Sequence, residues 1–249
     1  METIERKTLL YKSGLGFWCV NHVQGCSHGC LYPCYAFMMA RSYGRAADYG
    51  DWTKPRLVAG AADLLRRELS RKRTLPDRVH LSLTTDPFMR GFPEVAEASL
   101  SIVEALNEVG VAASVLTKGV LPAELADRGR FPLDNEYGAS LASLDEGFRA
   151  RWEPGAAPYA ERLAALRLLS EAGRRTYVHV EPYPTPNIFE QDLRALLEAV
   201  GFADRLYFSG WNYNALATNY PGRADFYREA GNLVARFCEE RGIECSLGI

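Results

Sequence analysis

The chain has 249 residues, of which 47% are hydrophobic and 24% are charged, and its formal net charge is −2 at pH 7. This size and composition predict one globular domain, whose core is large enough to fold without disulfides. The near-zero charge argues against nucleic acid as a partner, and no run of about 18 apolar residues is present to cross a membrane. Because the N-terminus lacks the pattern of a signal peptide, we expect a cytoplasmic location.

Strands and helices alternate along the chain. Strands are predicted over residues 17–23, 79–84, 112–117, 137–143, 176–180 and 206–209, and residues 243–247 are a candidate terminal strand. Apolar residues at helical spacing predict helices over 35–43, 57–69, 93–109, 159–173, 189–200 and 226–237, with a short helix from residue 122. Each strand is therefore followed by helix, which is typical of a parallel sheet with helices outside.

Six β/α units fall short of the eight that close a barrel. The fold class predicted is α/β, an open partial (β/α)6 barrel in a single domain spanning residues 1–249. Its core covers about residues 17–215, and residues 222–249 add a C-terminal helix and tail. In parallel α/β folds the functional site collects at the carboxyl ends of the strands, so the residues that follow each strand are the candidates.

Three cysteines lie within nine residues directly after the first predicted strand. Cys26, Cys30 and Cys34 are spaced CxxxCxxxC. Three thiolates on one loop can hold three irons of a [4Fe-4S] cluster and leave the fourth iron open to a small ligand. S-adenosylmethionine is such a ligand, and its reduction gives radical chemistry that side chains cannot perform alone. The motif therefore predicts an iron–sulfur enzyme.

Two other interpretations of the cysteines stay open. A zinc site needs a fourth protein ligand or a water, and His28 is the nearby candidate, although it lies between the first two cysteines. The thiols can also be inert, as we expect for the scattered Cys19, Cys238 and Cys245. A non-catalytic iron–sulfur protein for electron transfer or redox sensing would need four protein ligands, whereas this loop offers three thiolates.

Polar residues follow five further strands. They are Thr84, Thr85 and Asp86; Thr117 and Lys118; Ser140, Ser143 and Asp145; His179 and Glu181; and the segment from Trp211 to Asn214. Taken singly, each group has the composition of an ordinary turn. Together they place hydroxyls, a cation, an acid and aromatic rings at the end of the sheet where the cysteine loop lies.

The sequence also resembles the spore photoproduct lyase-like, or DNA-repair photolyase-like, group of the radical S-adenosylmethionine superfamily. The similar segments are Gln24-Gly-Cys-Ser-His-Gly-Cys, Cys34-Tyr-Ala, Trp52-Thr-Lys-Pro, Leu65-Arg-Arg-Glu-Leu, Leu83-Thr-Thr-Asp-Pro-Phe, Leu116-Thr-Lys, Trp152-Glu-Pro-Gly and Glu161-Arg-Leu. The resemblance runs from about residue 17 to residue 190, which is most of the chain. The resemblance implies an enzyme that cleaves S-adenosylmethionine reductively to a 5′-deoxyadenosyl radical, which then abstracts hydrogen from a substrate.

The resemblance also implies roles for individual residues. Cys26, Cys30 and Cys34 would ligate the cluster. The residues that would contact S-adenosylmethionine are Tyr35, Thr84, Thr85, Asp86, Lys118, Ser140 and Glu181, with Tyr35 beside the adenine and Lys118 on the carboxylate. An external flavodoxin- or ferredoxin-like protein would supply the electron.

Two residues depart from the pattern of the group. Pro33 lengthens the usual CxxxCxxC spacing by one residue, and Leu83 occupies the position where the lyase has a hydrogen-donating cysteine. The longer spacing bears on the geometry around the open iron and on which bond of S-adenosylmethionine is cut. Leu83 argues against lesion repair of the lyase type, and with the near-neutral charge a small molecule or a peptide is the favoured substrate. The alternative is repair of nucleic-acid lesions, as in the lyase.

Overall fold

The computed structural model describes residues 1–248; Ile249, the last residue of the predicted C-terminal tail, lies outside the described residues. The strands are β1 (Thr3–Ile4), β2 (Leu10–Lys12), β3 (Trp18–Val20), β4 (Val23–Gln24), β5 (Arg56–Val58), β6 (Arg78–Leu81), β7 (Ala112–Thr117), β8 (Glu136–Ser140), β9 (Arg175–Tyr183), β10 (Arg205–Gly210) and β11 (Glu244–Gly248). The helices are α1 (Tyr35–Ser42), α2 (Tyr49–Trp52), α3 (Ala61–Ser70), α4 (Pro93–Asn107), α5 (Glu146–Trp152), α6 (Tyr159–Glu171), α7 (Leu193–Val200), α8 (Ala215–Thr218) and α9 (Arg223–Arg241). A 3₁₀ turn covers Ala123–Ala126. None of the helices within residues 1–248 has the length and apolar character that a membrane crossing requires.

One large sheet forms the body of the molecule. Its strand order is β11-β10-β9-β8-β7-β6-β3-β2, with β2 antiparallel to β3 and every other neighbouring pair parallel. Because β2 and β11 are its two edges, the sheet is open, and the predicted partial barrel is confirmed. A smaller sheet, ordered β1-β5-β4, lies beside the cysteine segment.

Successive side chains of each parallel strand point alternately to the hydrophobic core and to the opposite face of the sheet. On β6 and β7, Val79, Leu81 and Val115 are fully buried in the main hydrophobic core, which also holds the apolar faces of α3 and α4. The intervening residues point to the other face of the sheet. There His80 lies 3.2 Å from the Ser114 hydroxyl. That face of the sheet therefore carries polar side chains at this point of β6 and β7.

Charged residues begin five of the parallel strands. Glu136 opens β8 and is buried, and its carboxylate lies near Arg78, Arg175 and Arg205, the first residues of β6, β9 and β10. Glu244, the first residue of β11, pairs with Arg175 and Arg205 at 3.0 and 3.1 Å. This ion-pair layer covers the amino ends of the strands, which is the end opposite the predicted site.

The predicted elements differ from the structure mainly in their bounds. The predicted strand 17–23 is two strands, β3 and β4, because the buried side chains of Asn21 and His22 bond to Thr84 and Ser99 across the gap. Leu57, predicted as the first apolar residue of a helix, lies in β5 instead. The short elements β1, β2, α2, α5 and α8 were not predicted, because two to seven residues carry too little periodicity.

Candidate active site at the carboxyl ends of the strands

The cysteine loop, residues 26–34, is held by backbone hydrogen bonds on both sides. Its Cys26 N–H donates to Trp52 O at 2.9 Å, and its Leu31 N–H donates to Trp152 O at 2.8 Å. Gly155 N–H donates to His28 O at 2.8 Å. A Cβ on Gly155 would lie 2.3 Å from the Ser27 carbonyl oxygen, so this contact requires glycine. The loop geometry therefore depends on two distant segments of the chain.

The three thiols of the loop fit an iron–sulfur cluster chemically. Burial, together with the charges of Asp86 and the other thiols, raises the pKa of Cys26 well above its ordinary value. Burial raises the pKa of Cys30 to about 12, and Glu153 and Cys34 act in the same direction. Thiols in such surroundings become thiolates only when a strong positive charge compensates them, and iron supplies it.

The thiols do not converge as the ligands of one ion would. Within residues 1–248, no group of three or more His, Cys, Asp and Glu side chains is placed to hold a single metal ion. In a four-iron cluster each thiolate binds a different iron, so the thiols surround a volume rather than a point. The loop is therefore compatible with a cluster, and ligation by Cys26, Cys30 and Cys34 stays a prediction.

His28 is committed to other partners, which argues against the zinc alternative. Its Nε2 lies 3.0 Å from Asp86 Oδ2, and its Nδ1 lies 3.3 Å from the Gly155 carbonyl oxygen. The residue is 1% exposed, and both ring nitrogens face oxygen atoms of the protein rather than the thiols. It instead joins the cysteine loop to the loops that follow β6 and α5.

Asp86 is a buried acceptor for groups from three segments. Its Oδ1 accepts hydrogen bonds from the Thr117 hydroxyl at 2.7 Å and Phe88 N–H at 2.9 Å, and its Oδ2 accepts from Lys118 N–H at 2.8 Å. Burial alone would raise the pKa of Asp86, but the His28 ring and these hydrogen bonds outweigh it and lower the pKa. Contact of Asp86 with the cofactor stays a prediction; what the structure shows is a carboxylate that fixes the end of β7 against the cysteine loop.

Lys118, at the carboxyl end of β7, belongs to a buried ion-pair cluster. Its Nζ donates to Glu153 Oε1 at 2.7 Å and to Ser140 Oγ at 2.8 Å. Arg162 donates to Glu153 Oε2 at 2.7 Å, and Tyr32 of the cysteine loop donates to Glu153 Oε1 at 2.9 Å. Burial opposes ionisation of Glu153, but the charges of Lys118 and Arg162 lower its pKa to about 2. Two cations therefore share one carboxylate.

Glu153, Tyr32 and Arg162 were not assigned a role from the sequence. The signal was present, because Glu153 lies in the Trp152-Glu-Pro-Gly segment and Arg162 in Glu161-Arg-Leu. A buried carboxylate with no partner nearby in sequence could not be paired until α5, α6 and β7 were brought together. Its partners are 9 to 121 residues away along the chain.

The other predicted contacts of the cofactor lie at the same end of the sheet. Thr84 Oγ1 accepts a hydrogen bond from Asn21 at 2.8 Å, and Thr85 donates to Gly25 O at 2.7 Å. Glu181 pairs with His179 Nδ1 at 2.8 Å, and its carbonyl accepts a 3.2 Å bond from Ser140. Their contacts with S-adenosylmethionine stay predictions.

A cavity of about 420 Å³ opens beside this end of the sheet. It is lined by Tyr35, Leu83 and Thr84 from the predicted site and by residues of the N-terminal strands and α1. Tyr35 is 42% exposed, so its ring is available to a ligand. Lys118 and Ser140 are not among the lining residues, which places the ion-pair cluster outside this cavity.

Two proteins of uncharacterised function are similar in sequence. ORF301 of Acidianus two-tailed virus is 29% identical over 197 residues, which cover 74% of this chain and 61% of that protein. MJ0683 of Methanocaldococcus jannaschii is 23% identical over 210 residues, which cover 81% of this chain and 76% of that protein. The chain thus spans less than two thirds of the viral relative. No family model matches the sequence.

Solved structures of spore photoproduct lyase are similar in fold. The lyase complexed with dinucleoside spore photoproduct superposes with a TM-score of 0.68 at 15% identity, over 97% of this chain and 79% of that chain. A variant of the lyase with bound AdoMet and the same dinucleoside superposes with a TM-score of 0.65, over 92% of this chain and 75% of that chain. The fold is therefore that of spore photoproduct lyase, as the sequence segments predicted.

Proposed function

We propose that the protein is a radical S-adenosylmethionine enzyme that carries a [4Fe-4S] cluster on Cys26, Cys30 and Cys34. The observation that supports this most strongly is the cysteine loop itself, whose three thiols lie at the carboxyl end of a partial barrel of the lyase type. The loop is fastened by backbone bonds to α2 and to the segment after α5. Such support holds ligands rigidly, which a cluster with one open iron requires.

The ion-pair cluster at the end of β7 suits the carboxylate of S-adenosylmethionine. Lys118 and Arg162 bring two positive charges to one Glu153, so one positive charge is left without a partner among these three residues. The ammonium of Lys118 has three N–H donors and uses two of them, on Ser140 and Glu153. The third donor and the excess charge are what a buried carboxylate needs.

The remaining predicted residues complete the proposed cofactor site. Tyr35 offers an aromatic face to adenine, Thr84 and Thr85 offer hydroxyls, and Glu181 offers an acceptor for the ribose. Asp86 orients Lys118 through the N–H of its main chain. A bound cluster supplies the electron that cleaves S-adenosylmethionine, and the protein residues bind, orient and shield the cofactor.

The proposal extends to the surroundings of the reaction. A flavodoxin- or ferredoxin-like partner delivers the electron, and a cytoplasmic, reducing compartment keeps the three thiols available to iron. Hydrogen abstraction from a small molecule or a peptide is the favoured reaction. Leu83 lines the cavity, and a leucine side chain cannot return a hydrogen atom as a thiol does.

Iron analysis tests the cluster directly. After anaerobic reconstitution the protein should contain about four irons and four sulfides per chain. Replacing Cys26, Cys30 and Cys34 together by alanine should remove them, whereas the control variant Cys245→Ala should keep them. Stoichiometric zinc without iron–sulfur absorption would refute the proposal.

A further inference from the structure

The cavity beside the cysteine loop carries a marked excess of positive charge. Three cationic side chains, Arg6, Lys12 and Arg45, line it. No aspartate or glutamate from residues 1–248 is among its lining residues. The whole chain has a formal charge of −2, so this concentration of cations is local to the cavity and opposite in sign to the molecule. A concave surface of one charge attracts ligands of the other.

Gln24 contacts the side chain of one of these residues and the main chain of another. Arg6 Nη2 donates to Gln24 Oε1 at 3.2 Å, and Gln24 Nε2 donates to the main-chain carbonyl oxygen of Arg45 at 2.7 Å. Burial and the neighbouring charge of Arg45 lower the pKa of Arg6. Within residues 1–248, neither guanidinium forms an ion pair with a carboxylate. The two like charges repel each other, and a bound anion would remove that repulsion.

Aromatic rings accompany the cations. Tyr11, Tyr35 and Tyr43 line the same cavity, and the Arg45 guanidinium lies 5.6 Å from the centre of the Tyr43 ring. Tyrosine rings stack on planar groups, and the guanidinium fork matches the oxygens of a phosphate. The cavity volume of about 420 Å³ is within the range for small ligands. The cavity lining thus suits a ligand that carries both a ring and an oxyanion.

We propose that Arg6 and Arg45 form an oxyanion subsite that binds the phosphate of a ring-bearing substrate, with Tyr11 and Tyr43, rather than Tyr35, stacking on its ring. This subsite rests on the proposed radical enzyme, since it names the substrate class for that site. Lys118 lies outside this cavity, so the subsite is separate from the place proposed for the carboxylate of S-adenosylmethionine. The phosphate can belong to a nucleotide or to a smaller phosphorylated aromatic compound.

Matched probes measure the contribution of the phosphate. We would reconstitute the protein, saturate it with S-adenosylmethionine without reductant, and measure binding of guanosine 5′-monophosphate against guanosine, and phenyl phosphate against phenol. At least one phosphorylated probe should bind roughly tenfold or more tightly than its neutral counterpart. A preference in both pairs indicates that the phosphate and any ring suffice, and a preference in the guanosine pair alone indicates a nucleotide.

The double variant Arg6→Gln/Arg45→Gln should bring the affinity ratio close to one. The control variant Arg66→Gln should keep the ratio, because Arg66 is an exposed arginine already paired with Glu108 at 2.8 Å. Equal binding of both members of each pair by the parent protein would overturn the subsite. So would an unchanged ratio in the double variant, or binding of the phosphorylated probe only when S-adenosylmethionine is left out.

The two proposals fail separately. A protein that prefers the phosphorylated probe but never cleaves S-adenosylmethionine under strong reductant would overturn the proposed function and leave the subsite standing. A protein that cleaves the cofactor and shows no phosphate preference would overturn the subsite alone.

Discussion

At the scale of single residues, Lys118 makes the most specific claim about the cofactor. We expect Lys118→Met to weaken binding of S-adenosylmethionine by roughly 2–4 kcal/mol, the cost of leaving one charge of a buried pair without its partner. The cluster should survive, because Glu153 keeps Arg162 and Tyr32 as partners. Equilibrium binding to the reconstituted protein measures the effect.

A lysine away from the site provides the control. Lys72 lies 3.9 Å above the Trp18 ring, and Lys72→Met should leave cofactor binding unchanged. Equal affinity in the Lys118 and Lys72 variants would mean that Lys118 serves only the ion-pair cluster with Glu153.

The roles of residues were predictable from the sequence only where a local motif carried them. The spacing of Cys26, Cys30 and Cys34 predicts ligation of a cluster from a segment of only nine residues. Glu153 is fully buried and has three side-chain partners, but one of them, Tyr32, is 121 residues away along the chain. Nothing in a short segment indicates such a pairing, so this network required the fold.

At the scale of elements, the close contact between two loops is the part most open to mutation. We expect Gly155→Ala to push the segment after α5 away from the cysteine loop, because the new methyl group would meet the Ser27 carbonyl. Overpacking of this kind costs about 1–3 kcal/mol. The iron content after reconstitution should fall together with the stability.

Gly14→Ala is the matched control, since a Cβ there meets no atom within 4 Å. It should keep both the iron content and the stability of the parent. Full iron loading of the Gly155 variant would show that the loop does not depend on this contact.

Long elements were predictable because their hydrophobic periodicity survives in the sequence. The predicted strand 112–117 coincides with β7, and the helix predicted from Pro93 begins at that residue as α4. The predicted strand 79–84 ends earlier, since β6 stops at Leu81 and the next residue, Ser82, has a φ of 60°. The left-handed conformation of Ser82 depends on its tertiary surroundings, where its hydroxyl lies 3.5 Å from Nδ1 of the buried His22. No local sequence pattern predicts such a conformation for a serine.

At the scale of the whole molecule, we assign function to one end of the sheet and stability to the other. The carboxyl ends hold the candidate site, and the amino ends hold the ion-pair layer around Glu136. We expect Glu136→Gln to lower the free energy of unfolding by about 2 kcal/mol, because a buried carboxylate that bonds charged groups is lost. Cofactor binding should stay unchanged, since the layer lies away from the site.

Glu244→Gln tests the same arginines from an exposed position. Glu244 also contacts Arg175 and Arg205, but its side chain is 53% exposed, and such pairs contribute little. Thermal unfolding should separate the two variants clearly. Equal destabilisation would mean that burial of Glu136 does not determine its contribution.

The open α/β architecture was predictable because strand and helix alternate six times, but the outer strand β2 was not. Its three residues pair antiparallel with β3, and only tertiary contacts select that pairing. The cavity with its three cations likewise combines residues from the N-terminus, β4 and α1. Sites assembled from separate short segments are where sequence patterns lose their predictive value.

The central claim is that the chain cleaves S-adenosylmethionine by reduction. The most direct measurement is the product analysis of reconstituted, reduced protein incubated with S-adenosylmethionine and no other substrate. Because the reactive bond lies in the cofactor, methionine and 5′-deoxyadenosine should accumulate in equal amounts, and they should be absent from the variant that lacks Cys26, Cys30 and Cys34. Tight binding of S-adenosylmethionine without any cleavage under strong reductant would contradict the account.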